Sequence, residues 1–279
     1  AVLKDLSKVD VRFAFCFPDT YEVCMSHLGM KILYSLFNNV EYIWCERVFA
    51  PWIDMEAQMR KHNIPLYALE SGDSLTAFDF IGFTLQYELS YSNMLNMLQL
   101  AGIPLKAKDR HGLFNIVVAG GPCACNPEPL AEFVDLFFIG EGEQVDLEVL
   151  QLYRQCKKTH CSKAEFLQKA SQIQGVYVPS LYDITYNPDG TIQRIAAKNG
   201  APPTVKKRLI TDMDHLYYPE KFVVPMIEIV HDRAVCEIFR GCIRGCRFCQ
   251  AGFLYRPVRE KSPEVIDTQC HALCKNTGY

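Results

Sequence analysis

Ile116-Val117-Val118-Ala119-Gly120-Gly121-Pro122 and Leu136-Phe137-Phe138-Ile139-Gly140-Glu141-Gly142-Glu143 are the two stretches that decide the fold. Each begins as a short apolar run without polar alternation and ends in a loop that contains glycines. A strand of a parallel sheet is buried on both faces, so its sequence is a continuous apolar run of this kind. Val11–Phe17, Tyr42–Val48 and Phe80–Leu85 have the same character. We therefore predict five buried strands.

Helical patterns separate these strands, and the alternation predicts an α/β fold with a doubly wound parallel sheet. The predicted helices run from a cap at Ser26 to about Asn38, over Asp54–His62, over Asn93–Leu100, and from the Gly142 region to about Cys156. Sheets of this type bind ligands at the carboxyl ends of their strands. The loops expected at those ends cover residues 18–27, 84–91, 120–126 and 140–143.

The patterning predicts three parts: an α/β domain over residues 1–174, a linker over 175–230, and a third part over 231–279. The linker contains a β-hairpin, because the turn signal Asn187–Gly190 separates two strand-like segments, 182–186 and 191–195.

The third part is predicted to begin with a strand at 234–239, which leads into a cysteine-rich loop. A helix capped by Ser262 follows and runs to about Asn276. One strand and one helix cannot bury their own apolar faces, so we expect the truncated start of a larger domain. The first residue, Ala1, suggests a processed or excised form of a longer chain.

Composition excludes several classes of protein. Of the 279 residues, 49% are hydrophobic and 22% are charged, which excludes a disordered or fibrous chain. The net charge of -3 excludes a chain-wide field that would attract nucleic acid or an anionic membrane. No apolar run reaches the length of a membrane span, and the first residues lack a signal-peptide profile. We expect a cytoplasmic protein without a membrane partner.

The cysteine content is unusual: there are 13. Cys242, Cys246 and Cys249 form a C-x3-C-x2-C pattern, and glycines at 241 and 245 permit the tight loop curvature that would gather three thiolates. Three thiolates suit a [4Fe–4S] cluster with one iron left open. Between residues 240 and 261 there are six basic residues and one acidic residue, which would offset the negative charge of such a cluster.

A structural zinc site is the alternative, with the fourth ligand drawn from Cys236, Cys270, His271 or Cys274. Only one C-x2-C pair is present, whereas zinc ribbons usually have two. We interpret the other ten cysteines as background. Cys16, Cys24, Cys45 and Cys236 are predicted to be buried small apolar residues. Cys123 and Cys125 have no partner pair, and Cys156, Cys161, Cys270 and Cys274 are predicted to be incidental.

The cysteine pattern, with the aromatic Phe248 directly before the third cysteine, resembles the signature of the radical S-adenosylmethionine (SAM) superfamily. The resemblance implies that Cys242, Cys246 and Cys249 hold a [4Fe–4S] cluster whose open iron chelates SAM, and that Phe248 lies against the adenine of SAM. It further implies that residues 231–279 are the first βα unit of a truncated radical SAM β/α barrel. Reductive cleavage of SAM would yield a 5′-deoxyadenosyl radical.

The α/β domain resembles the Rossmann-like cobalamin-binding (B12-binding) domain of cobalamin-dependent radical SAM enzymes. Gly120-Gly121-Pro122 and Gly140-Glu141-Gly142-Glu143 carry this resemblance. Tyr21–Gly29, Glu46–Trp52 and Leu85–Tyr91 further resemble one uncharacterised bacterial subfamily. The implied cobalamin contacts are Pro18, Asp19, Tyr21, Ser26, His27, Thr84, Gln86, Tyr87, Gly120, Gly121, Pro122, Gly140, Glu141, Gly142 and Glu143.

Two questions about this site stay open at the sequence level. His27 is either the lower axial ligand of cobalt or a polar loop or helix-cap residue, since the D-x-H-x-x-G pattern is absent. Glu141 and Glu143 either contact cobalamin amides or cap the following helix. A dinucleotide is disfavoured, because no glycine-rich turn follows the first strand and the two glutamates would repel a pyrophosphate.

The resemblance implies a radical SAM enzyme that methylates an unactivated carbon. A radical reaction without methylation is the nearest variant, and a non-catalytic cobalamin- or metal-binding module is the alternative. The implied partners are SAM, an electron donor and an unknown substrate, which is a small molecule, RNA or protein. The fragment alone is expected to be inactive.

Overall fold

The computed structural model describes residues 1–279, and a six-stranded sheet lies at its centre. The strands are β1 Val11–Phe17, β2 Ile43–Phe49, β3 Phe80–Thr84, β4 Ile116–Gly120, β5 Leu136–Phe138 and β6 Val176–Tyr177. They are arranged in the order β2-β1-β3-β4-β5-β6. The first five are parallel, and β6 is antiparallel to β5. The predicted α/β fold with a parallel core is confirmed, with an antiparallel edge strand in addition.

Six helices accompany this sheet. They are α1 Tyr21–Cys24, α2 Leu28–Asn38, α3 Ile53–His62, α4 Tyr91–Leu100, α5 Gly142–Lys158 and α6 Lys163–Ala170. The chain moves outward from β1 to β2 through α2 and returns to β3 through α3. Because such crossovers are right-handed, the reversal places α2 and α3 on opposite faces. The helix α2 contacts α5, and Arg60 of α3 donates a hydrogen bond of 2.6 Å to Asn96 of α4.

The core forms where aromatic side chains from the central strands meet. The ring of Phe13 is 5.0 Å from that of Phe37 and 6.0 Å from that of Phe80, measured between centroids. Gly82 on β3 gives the Phe13 ring its space, since a Cβ at that position would lie 2.2 Å from the ring. All residues of β2 and β3 are buried. This burial on both faces explains why these strands lack polar alternation.

The start of α2 differs from the prediction by one residue. The cap is His27, whose Nδ1 accepts a hydrogen bond of 3.1 Å from the backbone N–H of Met30. Ser26 instead donates its hydroxyl to the carbonyl of Glu22 at 2.7 Å. The serine is therefore engaged in the preceding turn, and the imidazole takes the role that serine usually has.

The segment after the sheet contains the predicted hairpin, with strands β7 Tyr182–Tyr186 and β8 Ile192–Ala197. Farther along, β9 Phe239–Arg240 pairs with β10 Arg259–Glu260, and α7 Ala251–Leu254 lies between them. The last helix is α8 Pro263–Thr277, with the predicted cap at Ser262. No helix of the protein combines the length and the apolar character that a membrane span requires.

The strand predicted at 234–239 is wrong except at its last residue. Residues 234–238 have no regular structure, and only Phe239 and Arg240 pair with a neighbour. Extended backbone needs a hydrogen-bonding partner along its length, and β10 offers one for two residues only. The three-part division at 174 and 230 stays a prediction, although β6, just beyond residue 174, belongs to the main sheet.

Candidate functional site

A cavity of about 390 Å³ lies at the carboxyl ends of β1, β3, β4 and β5. The strand order reverses between β1 and β3, and parallel sheets bind ligands outside this switch point. The volume falls within the range of small-molecule sites. Ten of the predicted cofactor residues line it: His27, Thr84, Gln86, Gly120, Gly121, Pro122, Gly140, Glu141, Gly142 and Glu143.

Five predicted residues lie outside the lining of this cavity: Pro18, Asp19, Tyr21, Ser26 and Tyr87. The hydroxyl of Tyr87 donates to Asp19 at 3.3 Å, which joins two of the loops at the sheet edge. Tyr21 instead lines a separate, largely apolar cavity of about 560 Å³ beside β2. The assignment of these five residues to a cofactor stays a prediction.

Gly121 and Gly140, at the rim of the 390 Å³ cavity, occupy positions where a side chain would not fit. Gly121 has φ of +93°, and a Cβ there would lie 2.7 Å from the carbonyl oxygen of Leu85. Gly140 has φ of +108°, and a Cβ would lie 2.2 Å from the carbonyl oxygen of Arg208. Any other residue would strain the backbone and collide with a neighbouring chain segment. Both glycines are therefore required by the loops themselves, whatever the cavity binds.

His27 is not a free ligand, because its imidazole is already engaged in a hydrogen bond. Its Nδ1 accepts the Met30 N–H, so the neutral imidazole carries its proton on Nε2. Burial lowers the pKa of His27, and a hydrogen bond with the Gln86 side chain partly opposes that shift. Coordination of cobalt by Nε2 would require that proton to leave and the cap of α2 to break. The helix-cap role is the one that this geometry shows.

Glu141 and Glu143 are held by arginines from the segment around the cysteine loop. Arg259 donates to both carboxylate oxygens of Glu141 at 2.5 and 2.8 Å, and Arg240 donates to Glu143 at 2.5 Å. The Glu141 carboxylate also accepts the backbone N–H of Ile210 at 2.5 Å. Neither side chain caps α5, which was one of the two roles left open for them. Neither carboxylate is free, because the arginines satisfy both.

Arg240 and Arg259 therefore connect the glycine loop after β5 to the third part of the chain. Arg240 also bonds Glu237 at 2.8 Å, and its neighbour Gly241 lines the same cavity. All of these side chains are largely buried, so the attraction between them is weakly screened. The composition of the cysteine loop predicted its positive charge, but not that the acids of the loop after β5 would pair with it.

Asp146 is a cavity residue that was not predicted from the sequence. Only 6% of its surface is exposed, and its Oδ1 has no hydrogen-bond partner. Burial, together with the negative charge of Glu143, raises the pKa of Asp146 well above its usual range. Burial of this kind favours the protonated carboxyl, and the protonated form can donate a hydrogen bond into the cavity. The sequence signal that could have identified Asp146 is its position one helical turn after Gly142.

The predicted metal ligands lie on one loop that starts at the cavity. Cys242 follows Gly241 directly and is half-buried, as is Cys249, whereas Cys246 is exposed. Their side chains do not converge on a common centre. The three cysteines nevertheless fit a [4Fe–4S] cluster. Their thiols are free of disulfides, and Gly241, with φ of +96°, permits the sharp turn of the loop. Phe248 is 92% exposed.

Residues 29–179, more than half of the chain, match the family model described as "Radical SAM proteins, N-terminal". The fold and this match define the class, and the chain belongs to that family. The uncharacterized protein MJ0966 of Methanocaldococcus jannaschii is 31% identical over 205 residues, which is 73% of this chain and 37% of that protein.

Two solved structures of TsrM, a radical S-adenosylmethionine methyltransferase from Kitasatospora setae, are similar. The one with cobalamin and a [4Fe–4S] cluster bound has a TM-score of 0.50 and 11% identity, over 95% of this chain and 46% of that one. The one with tryptophan substrate and the SAM analogue aza-SAM has a TM-score of 0.49 and 13% identity, over 95% and 45%. At such identity the likeness concerns the fold alone. The chain spans less than half the length of these relatives.

Proposed function

We propose that this chain forms the cofactor-binding part of a cobalamin-dependent radical SAM enzyme. The observation that carries the proposal is the shared wall of the 390 Å³ cavity, which is lined by both the glycine loops of the sheet and Gly241, the residue before Cys242. A group bound in the cavity would therefore lie next to a group held by the cysteines. Membership of the radical SAM family supports the pairing.

Each set of residues has a distinct part in this proposal. Cys242, Cys246 and Cys249 would hold the [4Fe–4S] cluster, and Phe248, being exposed, is available to lie against the adenine of SAM. The glycines at 120, 121, 140 and 142 let the backbone approach a flat ligand closely. When bound, the cluster would supply the electron that cleaves SAM, and cobalamin would supply a methyl group.

The protein's own groups would set the environment of the cavity. Asp146 donates a hydrogen bond to a neutral acceptor, such as the carboxamide oxygens at the rim of cobalamin. Because Glu141 pairs with Arg259 and Glu143 pairs with Arg240, neither arginine is free to attract a pyrophosphate. Methyl transfer to an unactivated carbon is the reaction we propose, and it follows TsrM, whose structures are those of a methyltransferase. The substrate would be a small molecule, RNA or protein, with a separate electron donor.

Anaerobic reconstitution with iron and sulfide tests the cluster. We expect about four irons per chain, lost in the Cys242→Ala, Cys246→Ala and Cys249→Ala variants. Cys125→Ala is the matched control, because Cys125 is also an exposed thiol but lies outside the loop. Stoichiometric zinc without sulfide would disprove the cluster and favour a structural zinc site.

Equilibrium dialysis with hydroxocobalamin tests the cavity. Gly120 has space for a side chain, since the nearest atom to an added Cβ is 3.7 Å away, and it faces the cavity. Gly120→Val should weaken cobalamin binding at least about tenfold without unfolding the protein. Gly112→Val is the control, because a Cβ at Gly112 meets no atom within 4 Å. Equal binding by both variants, or none by the wild type, would remove cobalamin from the proposal.

A further inference from the structure

The turn between α5 and α6 brings Cys156 and Cys161 together. The backbone N–H of Cys161 donates to the carbonyl of Cys156 at 3.0 Å, and His160 between them has a left-handed φ of +54°. In helix ends of this type, the third residue from the end and the residue after the left-handed one are frequently in side-chain contact, and here the thiols of Cys156 and Cys161 share a hydrogen bond. The backbone therefore fixes two thiols side by side, although we predicted from the sequence that both were incidental.

Polar contacts around Cys161 distinguish this pair from ordinary apolar packing. The Nζ of Lys169 and the hydroxyl of Thr159 each lie 3.3 Å from the Cys161 sulfur. An ammonium at this distance stabilises a thiolate. Cys161 is partly exposed, whereas Cys156 is buried with 1% of its surface exposed.

The two thiols differ in acidity. The hydrogen bond from Thr159 lowers the pKa of Cys161, and the contacts with Cys156 and Lys169 act in the same direction. Burial raises the pKa of Cys156 to about 11. An accessible thiolate beside a protonated thiol is the arrangement in which the first attacks an oxidant and the second closes a disulfide.

We propose that Cys156 and Cys161 form a peroxide-reactive dithiol that closes to an intramolecular disulfide, independent of the cofactor site. The Cys161 thiolate attacks a hydroperoxide, so that an S–O bond forms, the O–O bond breaks and the leaving oxygen departs as water or an alcohol after taking a proton. The Cys156 sulfur then attacks the sulfenic acid. The S–S bond forms, the S–O bond breaks, and the hydroxide takes the Cys156 proton to leave as water. The two thiols lose two electrons, which reduce the peroxide.

Peptide-resolved alkylation of the full chain tests the first step. At pH 7 we expect iodoacetamide to modify Cys161 more than about tenfold faster than Cys125. Cys125 is the internal reference, because the residue is exposed at the surface while desolvation raises the pKa of its thiol. Lys169→Gln should reduce this difference, because it removes one of the contacts that lower the pKa of Cys161. Lys158→Gln is the matched control, since Lys158 lies in the same region and contacts Asp10 instead.

Treatment with equimolar hydrogen peroxide, followed by mass mapping without reductant, tests the second step. We expect a peptide linked through Cys156 and Cys161 that dithiothreitol releases. In Cys156→Ala, sulfenic acid trapped by dimedone at Cys161 should replace the link. Equal alkylation rates of Cys161 and Cys125, or peroxide oxidation of Cys161 in the wild type without the link to Cys156, would overturn the proposal.

Discussion

At the residue scale, the loop after β5 depends on a single glycine. Gly140 combines a left-handed φ of +108° with a carbonyl oxygen of Arg208 that would lie 2.2 Å from an added Cβ. Conformational strain and collision therefore act together at this position. The loop places Glu141 and Glu143 at the cavity, so its geometry decides where both carboxylates point.

Gly140→Ala is expected to lower the free energy of unfolding by more than about 2 kcal/mol. The control is Gly102→Ala, because Gly102 also has a positive φ of +71° but has no atom within 4 Å of an added Cβ. Its cost should be about 1 kcal/mol, the conformational part alone. Urea denaturation of both variants measures the difference. Equal costs would mean that Arg208 moves aside without penalty.

Asp146 should make stability depend on pH. Its folded pKa is raised, while its unfolded pKa is about 3.9, so the folded state holds a proton that the unfolded state loses. The contribution of this carboxyl is complete below about pH 4 and declines as the pH rises toward the folded pKa, by about 1.4 kcal/mol for each unit. Asp146→Asn is neutral at every pH and should avoid this decline.

We therefore expect Asp146→Asn to exceed the wild type in unfolding free energy at pH 7, with the two nearly equal near pH 4. Urea denaturation at several pH values checks this. Asp267→Asn provides the comparison, since Asp267 is an exposed carboxylate on α8. Parallel pH profiles for wild type and Asp146→Asn would show that Asp146 is ionised in the fold.

At the scale of elements, the contact between the glycine loop and β9–β10 rests on buried charge. Arg259 has 7% of its side chain exposed and Glu141 has 12%. Glu141→Gln keeps the shape but leaves the Arg259 guanidinium without its counter-charge, and we expect a loss of about 3 kcal/mol in unfolding free energy.

The matched control for that prediction is Glu132→Gln, which removes the exposed ion pair between Glu132 and Lys106, 3.0 Å apart. Its cost should stay below about 1 kcal/mol, because water screens exposed pairs. Thermal or urea denaturation of both variants gives the comparison. Similar small costs for both would mean that Arg259 finds water or another carbonyl when Glu141 is neutral.

The sequence predicted elements best where local pattern and burial agree. The bounds of β1 and β7 were predicted to the residue, because apolar or β-branched runs end there at a proline or a turn signal. It failed at 234–238, where an apolar run has no strand beside it. It also missed the paired state of Glu141 and Glu143, since Arg240 and Arg259 lie about 100 residues farther along the chain and no local pattern connects them.

At the scale of the whole molecule, the sheet and the later segments are joined by backbone bonds as well as by charge. The N–H of Arg208 donates to Ile139 at 2.8 Å, and the N–H of Glu141 donates to Arg208 at 3.1 Å. The segment around residue 208 thus continues the sheet edge beside the cavity. The family match covers residues 29–179, whereas this attachment depends on contacts that only the folded chain reveals.

From this attachment we predict that the cysteine loop would stay beside the sheet even without covalent continuity of the chain. Residues 188–190 of the hairpin turn are exposed, and the two strands of the hairpin pair only with each other. A protease recognition sequence inserted there, once cut, should yield two pieces that elute together in gel filtration and separate only in denaturant. Fragment complementation of this kind would allow the cysteine half to be isotope-labelled separately and joined to an unlabelled partner. Immediate separation of the pieces after the cut would show that the chain connection holds the two halves together.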